Sequence, residues 1–154
     1  MAAISPPGEP VPEYRQMGPD IFDRSIDAEK LISRAINQAT REQKRIVLLF
    51  GANWCPWCRS LHSAMTRSTE IVNLLNERFV LVYVDANTRV NKKRNAATLE
   101  RFGNPIQKYG LPVFVVLASN GTTVATQETQ SLAAPTDDEV ARRLLALLRS
   151  WSGK

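Results

Sequence analysis

The residues with the clearest chemical potential are Cys55 and Cys58, the only two cysteines among the 154 residues. They lie in the stretch Trp54-Cys55-Pro56-Trp57-Cys58, directly after the apolar run 46–50. Two thiols separated by two residues come together within one helical turn, where they can form a disulfide or bind a metal ion. The motif therefore predicts either thiol–disulfide exchange or metal binding, and the surrounding elements help to decide between them.

The hydrophobic pattern predicts helices and strands that alternate around this motif. Apolar residues at three- and four-residue steps indicate an amphipathic helix over 27–44. Apolar runs without alternation indicate buried strands over 46–50, 79–84 and 113–117. Further helices are expected after the motif as far as 78, with a break near Ser68, over 96–102, and from 136 to about 151. Asn120-Gly121 predicts a type I′ hairpin turn into an antiparallel strand over 122–126. This order predicts an α/β fold with a central mixed sheet of about four strands, flanked by helices on both faces.

The position of the two cysteines at a strand-to-helix turn predicts different roles for them. Cys55 at the helix N-cap would face unpaired N–H groups and the positive end of the helix dipole, which lower a thiol pKa. Pro56 suits the first helical position, where no N–H is needed. We therefore expect Cys55 to be the exposed attacking nucleophile and Cys58 the buried resolving thiol. A structural disulfide or two inert thiols is the alternative, but so small a loop would restrict the unfolded chain very little.

Metal binding depends on one further residue, His62, the only histidine of the chain. Cys55, Cys58 and His62 could share one helix face, but a closed zinc site usually needs four ligands. Copper(I) could accept the two thiolates. His62 is otherwise expected on the helix surface, or next to Cys58 with a role in proton handling. We predict no metal ion and no bound cofactor, because the cysteine pair itself would store two electrons.

The motif, together with Gly110-Leu111-Pro112 before the third core strand, resembles the thioredoxin superfamily, and most closely the thioredoxin-like oxidoreductases of bacteria. The resemblance implies that the Leu111–Pro112 bond is cis and faces the cysteines. It also implies that the backbone at Leu111 pairs with a bound peptide and that Trp54 forms a wall beside the reactive sulfur. The substrate-binding residues implied in this way are Trp54, Pro56, Trp57, Leu111 and Pro112.

The chain departs from the thioredoxin pattern at several positions. Leu49 and Leu81 occupy the places of a buried aspartate and its lysine partner, so Cys58 lacks that route for losing its proton. Pro56-Trp57 replaces Gly-Pro, and the segment 88–104 is longer than in thioredoxins. That segment is either an element of substrate selectivity or a surface elaboration. Asp85 is expected to cap the end of a strand.

Composition bounds the rest of the chain. Five of the nine prolines lie in residues 1–20, which we predict to be a flexible tail or tether, with a strap packed through Tyr14 and Met17 as the alternative. Residues 21–154 are predicted to form the thioredoxin-like domain. The formal net charge is +5, but aromatic residues do not interleave with the basic ones, so no nucleic-acid partner is expected. No run is long enough to span a membrane, and we expect a monomer.

These observations together predict a thiol–disulfide oxidoreductase that reduces protein disulfides through a Cys55–Cys58 couple. Its partners would be protein dithiols or disulfides and a redox partner protein. The alternatives are a disulfide oxidase or isomerase, and a copper(I)-handling protein of the same fold. The resemblance favours an exported, periplasmic protein whose signal peptide is absent from this sequence, with a cytoplasmic location as the alternative.

Overall fold

The computed structural model describes residues 14–87 and 93–152, which build one sheet with helices on both of its faces. The strands are Arg45–Gly51 (β1), Phe79–Asp85 (β2), Val113–Leu117 (β3) and Thr123–Glu128 (β4). The α-helices are Ala28–Glu42 (α1), Pro56–Arg67 (α2), Thr69–Arg78 (α3), Ala96–Arg101 (α4), Pro105–Tyr109 (α5) and Asp137–Trp151 (α6). Short 3-10 helices cover Arg15–Met17 and Gln130–Leu132.

The sheet has the strand order β2-β1-β3-β4. β1 and β2 are parallel, whereas β3 runs antiparallel to β1 and β4 antiparallel to β3. The predicted α/β fold with a mixed four-stranded sheet is therefore confirmed. β1 lies inside the sheet and is buried from its second residue to its last, which explains why its apolar run shows no alternation.

Successive residues of β1 point to opposite faces of the sheet and divide the interior into two cores. The cysteine-side core, beneath α2, α3 and α6, includes Val47, Leu49, Cys55, Cys58, Leu61, Phe114, Leu144 and Trp151. The α1-side core includes Ile32, Ala35, Ile46, Leu48, Phe50, Val80, Val115 and Leu117. Both cysteines thus lie in one core, and the other core consists of aliphatic and aromatic packing around α1.

Three helix starts follow from local sequence signals. The hydroxyl of Ser68 accepts the N–H of Ile71 at 3.3 Å and begins α3 at the predicted break. Thr136 likewise accepts the N–H of Glu139 at 3.2 Å and begins α6. Pro105 occupies the first turn of α5, a helix that was not predicted, because Gly103-Asn104-Pro105 was interpreted only as the end of α4. Proline in the first turn of a helix is favourable, since its missing N–H is not needed there.

The hairpin between β3 and β4 exists, but its predicted type I′ turn is wrong. Only Gly121 has a positive φ in this turn, at 93°, whereas type I′ requires positive φ at two adjacent positions. The N–H of Gly121 donates to the carbonyl of Ala118 at 2.9 Å, and that of Ala118 donates to Thr122 at 2.8 Å. A longer loop with one left-handed glycine therefore replaces the two-residue turn.

Residues 14–20, assigned from the sequence to the flexible tail, pack against the domain. Tyr14 is only 4% exposed, and the carbonyl oxygens of Gly18 and Pro19 accept hydrogen bonds from Arg59. The predicted boundary at residue 20 thus falls within a packed segment, in agreement with the alternative of a strap. We call residues 14–26 the N-terminal strap. Residues 1–13 of the predicted tail lie outside the described residues.

The 88–104 segment is described only in part. Residues 88–92 lie outside the described residues, and the remainder contains α4, from which Leu99 and Phe102 pack against the α1-side core. Within residues 14–87 and 93–152, no helix is both long enough and apolar enough to cross a membrane.

Candidate active site around Cys55 and Cys58

The cysteine motif begins where β1 ends. β1 ends at Gly51, and Cys55 then takes extended backbone geometry as the N-cap of α2 with Pro56 at the first helical position. The carbonyl of Cys55 accepts the N–H of Arg59 at 3.1 Å, the first bond of the helix. The predicted placement of both cysteines at a strand-to-helix turn matches this geometry.

The sulfur of Cys55 is surrounded by hydrogen-bond donors. The backbone N–H of Cys58 points at Cys55 Sγ from 3.2 Å. The thiol of Cys58 and the N–H groups of Cys58 and Trp57 all favour the thiolate and outweigh the cost of burial, so the pKa of Cys55 is lowered to about 7. A substantial fraction of Cys55 is thus a thiolate near neutral pH.

Cys58 has the opposite properties. Its side chain is fully buried, whereas Cys55 keeps 7% of its surface exposed. Its hydrogen bond to the Cys55 sulfur, its burial and the neighbouring thiolate charge all raise its pKa well above the ordinary range of a thiol. Both cysteines are free thiols. Cys55 is therefore the more exposed of the two, but with 7% of its surface exposed it is a buried residue and not the exposed nucleophile expected from the sequence.

The two tryptophans of the motif are half-buried and anchored to different parts of the chain. Trp54 donates its indole N–H to the backbone carbonyl of Asn87, just after β2, at 2.9 Å. Trp57 donates its indole N–H to the hydroxyl of Thr129, just after β4, at 3.0 Å. Both rings pack against the cysteine-side core.

The segment before β3 is the second part of the site. The Leu111–Pro112 peptide bond is cis, the geometry that the resemblance implies. Leu111 packs against both cores. The carbonyl oxygen of Pro112 accepts a hydrogen bond from the hydroxyl of Thr129 at 2.7 Å. Thr129 therefore touches both Trp57 and Pro112, and so connects the two predicted parts of the site.

The N-terminal strap holds the motif from its other side through Asn53. The side-chain oxygen of Asn53 accepts the N–H groups of Ile21 and Phe22 at 2.7 and 2.8 Å, and its amide N–H donates to the Phe22 carbonyl at 2.9 Å. Arg59 also donates to the Asn53 carbonyl at 2.7 Å. The Phe22 ring lies so close to Gly51 that a Cβ there would be 2.4 Å from Phe22 Cζ. The strap thus fixes the loop between β1 and Cys55.

Thr129, Asn53 and Arg59 were not predicted from the sequence. Asn53 and Arg59 flank the motif, so their proximity to the cysteines was visible, but their partners in the strap were not. Thr129 lies 72 residues from Trp57, and no sequence signal connects the two.

Asp85 is a buried acid at the end of β2 and not only a strand cap. It pairs with Gly51 in the β1–β2 register, and its carboxylate accepts from Arg94 Nε at 2.8 Å. Burial nevertheless outweighs the attraction of Arg94 and raises the pKa of Asp85 to about 7. A group that titrates near neutral pH therefore lies beside the strand that carries the motif.

His62 makes its hydrogen bond away from the cysteines. Its Nδ1 lies 3.1 Å from the Tyr83 hydroxyl on β2, and the two rings meet edge to face. Burial, with a smaller contribution from the Arg59 charge, lowers the pKa of His62, whereas burial raises that of Tyr83 to about 12. The neutral imidazole shares this hydrogen bond with the tyrosine hydroxyl, and the tautomer of His62 sets which of the two donates.

The described residues do not form a cluster suited to metal binding. Across residues 14–87 and 93–152, no three His, Cys, Asp or Glu side chains converge on one point. His62, the third ligand of the copper(I) alternative, is the residue bonded to Tyr83. The two thiols would have to bind such an ion without it.

Comparison with known proteins identifies a domain family and related structures. The sequence model of the thioredoxin-like domain matches residues 32–135. A crystal structure of a disulphide isomerase from Xylella fastidiosa superposes with a TM-score of 0.71 at 30% identity, covering 84% of this chain and 96% of that one. The oxidised C-terminal domain of DsbD from Neisseria meningitidis superposes with a TM-score of 0.57 at 18% identity, covering 86% of this chain and 99% of that one. A thioredoxin from Thermus thermophilus superposes with a TM-score of 0.54 at 19% identity, covering 77% of this chain and 81% of that one.

Two curated proteins match over a shorter stretch. Spermatogenesis-associated protein 20 of rat is 40% identical over 55 residues, and that of mouse is 38% identical over 55 residues. These matches cover 36% of this chain but only 7% of either relative. They concern a short stretch of much longer proteins.

Proposed function

The chain belongs to the thioredoxin-like domain family, and from that membership we propose that it is a thiol–disulfide oxidoreductase that reduces protein disulfides through Cys55 and Cys58. The observation that carries the proposal is the asymmetry of the pair. Cys55 is the more exposed of the two cysteines and its Sγ receives the N–H of Cys58 at 3.2 Å, whereas Cys58 is fully buried beside it. One thiol is prepared to attack and the other is shielded until the attack has occurred.

The proposed reaction has two steps. The Cys55 thiolate attacks one sulfur of a substrate disulfide, forming a mixed disulfide and releasing the other substrate sulfur as a thiolate. Cys58 then loses its proton and attacks Cys55 Sγ, which breaks the mixed disulfide and releases the second substrate thiol. The substrate gains two electrons and the chain ends with a Cys55–Cys58 disulfide. A dithiol partner protein would return it to the dithiol form.

The direction follows from how strongly the protein stabilises the reduced thiolate. Strongly oxidising members of this chemistry have a nucleophile pKa of about 3.5, whereas thioredoxin has about 7. The pKa of Cys55 is about 7, so its thiolate is stabilised only moderately. This moderate stabilisation favours a reductase over a strong oxidant.

Isomerisation of disulfides is the second candidate. It is favoured by the likeness to the disulphide isomerase from Xylella fastidiosa. The same Cys55 chemistry serves both functions, but an isomerase must release its substrate with a different pairing of cysteines rather than in reduced form. The two candidates therefore differ in their products.

A direct test uses insulin as the protein disulfide and dithiothreitol as the electron donor. We expect the wild-type chain to accelerate insulin reduction, Cys55→Ser to abolish this, and Cys58→Ser to accumulate a mixed disulfide visible by mass spectrometry. The equilibrium of the pair with glutathione gives its potential. No acceleration by the wild-type chain, or a potential near that of strong oxidants, would contradict the proposal. Activity on scrambled ribonuclease without net reduction would favour the isomerase.

A further inference from the structure

Thr129 lies opposite Pro112 because of the register between β3 and β4. Val113 pairs with Glu128 at the end of the β3–β4 ladder, so Pro112 and Thr129, the next residue of each segment, lie beside each other. Thr129 is only 1% exposed. Its hydroxyl donates to the Pro112 carbonyl at 2.7 Å and accepts the indole N–H of Trp57 at 3.0 Å. One buried hydroxyl thus uses both its donor and an acceptor position to join the motif to the Pro112 segment.

We propose that Thr129 is a positioning residue that fixes the width of the cleft through which a protein disulfide reaches Cys55. This inference rests on the proposed function. By the cleft we mean the space between Trp57, on α2, and Leu111–Pro112, at the entry of β3. The bridge Trp57–Thr129–Pro112 is a direct hydrogen-bonded connection between these two sides. Without the hydroxyl, the indole N–H and the Pro112 carbonyl would both lose their partner at a buried position, so the two sides would shift to find new ones.

The bridge through Thr129 should matter for the reaction rate of large disulfide substrates and not for that of small ones. The thiolate of Cys55 is stabilised by the Cys58 thiol and by N–H groups in the first turn of α2, none of which involves Thr129. A small disulfide needs only that sulfur. A protein disulfide carries its flanking chain into the cleft and needs both sides at the correct separation. Loss of the bridge should therefore slow protein substrates selectively.

The principal test compares Thr129→Val, which keeps the shape and removes the hydroxyl, with Thr129→Ser, which retains it. We expect Thr129→Val to raise the KM for insulin by about tenfold, the loss expected for a buried hydrogen bond. We expect the second-order rate constant of this variant for reaction with 5,5′-dithiobis(2-nitrobenzoate), a small disulfide, to change less than about twofold. The pH profile of Cys55 alkylation should stay unchanged. Thr129→Ser should recover most of the insulin KM. Thr126→Val, an exposed hydroxyl removal on β4, is the matched control.

A double-mutant cycle with Trp57→Phe tests the path through the indole. Trp57→Phe keeps a ring and removes the N–H donor, so Thr129→Val should add little to its effect on the insulin KM. Should Thr129→Val fail to fold, the single variant Trp57→Phe tests the same path, because it must then reproduce the size-dependent loss.

The outcomes separate this inference from the proposed function. Equal KM values for wild type and Thr129→Val, an equal loss on small and protein disulfides, or full additivity in the cycle would overturn the role of Thr129. A wild-type chain that fails to reduce insulin would overturn the proposed function itself.

Discussion

The two parts of the candidate site are held in different ways. The motif segment, residues 52–59, obtains its chemistry locally: Cys55 caps the helix that its own neighbours form, and Cys58 returns one turn later. The Leu111–Pro112 segment is held by Thr129, which lies beyond the β3–β4 hairpin and is bonded to Trp57. The reactivity of the sulfur is therefore a local property, whereas the shape of the space in front of it depends on residues distant in sequence. Perturbing each side should produce different defects.

The largest effect is expected from the motif side. Cys55→Ser should lower the rate of disulfide reduction at least about a thousandfold, as removal of a nucleophile does in other enzymes, while the thermal midpoint moves little because the volume change is small. Stopped-flow insulin or small-disulfide assays and calorimetry measure the two quantities. A variant that loses both activity and stability would show that the sulfur also supports the core, and the separation of roles would fail.

A pH-dependent change in stability is expected from Asp85, which pairs with the strand that leads into the motif. Its folded-state pKa is raised from 3.8 to about 7, so between these values the unfolded chain loses its proton before the folded one does. Stability should then fall as pH rises from about 4 to about 7, by up to about 4 kcal/mol from this group, and stay level above. Asp85→Asn should flatten this dependence.

Urea denaturation of both proteins at pH 4, 5.5 and 7 measures this difference. We expect the free energy of unfolding of Asp85→Asn to increase relative to that of wild type at each higher pH, because only wild type loses stability as Asp85 ionises. Parallel curves would mean that the Arg94 ion pair compensates the burial of the carboxylate completely.

A smaller effect is expected where the strap supports the motif. Asn53→Ala leaves the N–H groups of Ile21 and Phe22 without their acceptor and should cost about 2 kcal/mol. Amide hydrogen exchange at these two residues should accelerate together with the fall in stability. Asn73→Ala, an exposed change of the same kind on α3, is the control. If amide hydrogen exchange at Thr129 accelerated to the same degree, the motif segment and the Leu111–Pro112 segment would not be supported separately.

The smallest effect concerns the thiol of Cys58 as a hydrogen-bond donor to Cys55. Cys58→Ala should raise the pKa of Cys55 by about one unit, because a hydrogen bond to a charged group contributes about 1.5 kcal/mol or more. Cys58→Ser keeps a donor and should raise it less. The pH dependence of iodoacetamide alkylation measures both values. Equal values in the two variants would assign the stabilisation entirely to the backbone N–H groups.

The parts of the molecule that sequence alone predicted are those governed by local rules. The three core strands were marked by their composition, and the starts of α3 and α6 by Ser68 and Thr136, which bond to backbone groups three residues away. The mixed sheet followed from the order of these elements. Cys55 at its helix start belongs to the same class of local signals.

The features that were missed depend on contacts between distant residues or on a choice between local geometries. Tyr14 and Phe22 are buried, and the strap that carries them is bonded to Asn53 and Arg59, contacts between distant residues that composition does not indicate. Asn-Gly permits a type I′ turn but also a longer loop in which only Gly121 takes a positive φ. Thr129 carries no signal of its own, since its importance arises only from the register that places it opposite Pro112.

In the proposed reaction, the complete burial of Cys58 affects how long the mixed disulfide between Cys55 and a substrate persists. The hydrogen bond to Cys55 and the charge of the Cys55 thiolate raise the pKa of Cys58 only while Cys55 is free, but burial raises the pKa in the mixed disulfide as well and favours the protonated thiol. In the proposed reaction, the residence time of a captured substrate is then set inside the protein and lengthens as the solution becomes more acidic. A substrate with several cysteines can use that interval to attack its own mixed disulfide first. The ratio of rearranged to reduced products should therefore depend on pH and not only on the identity of the substrate.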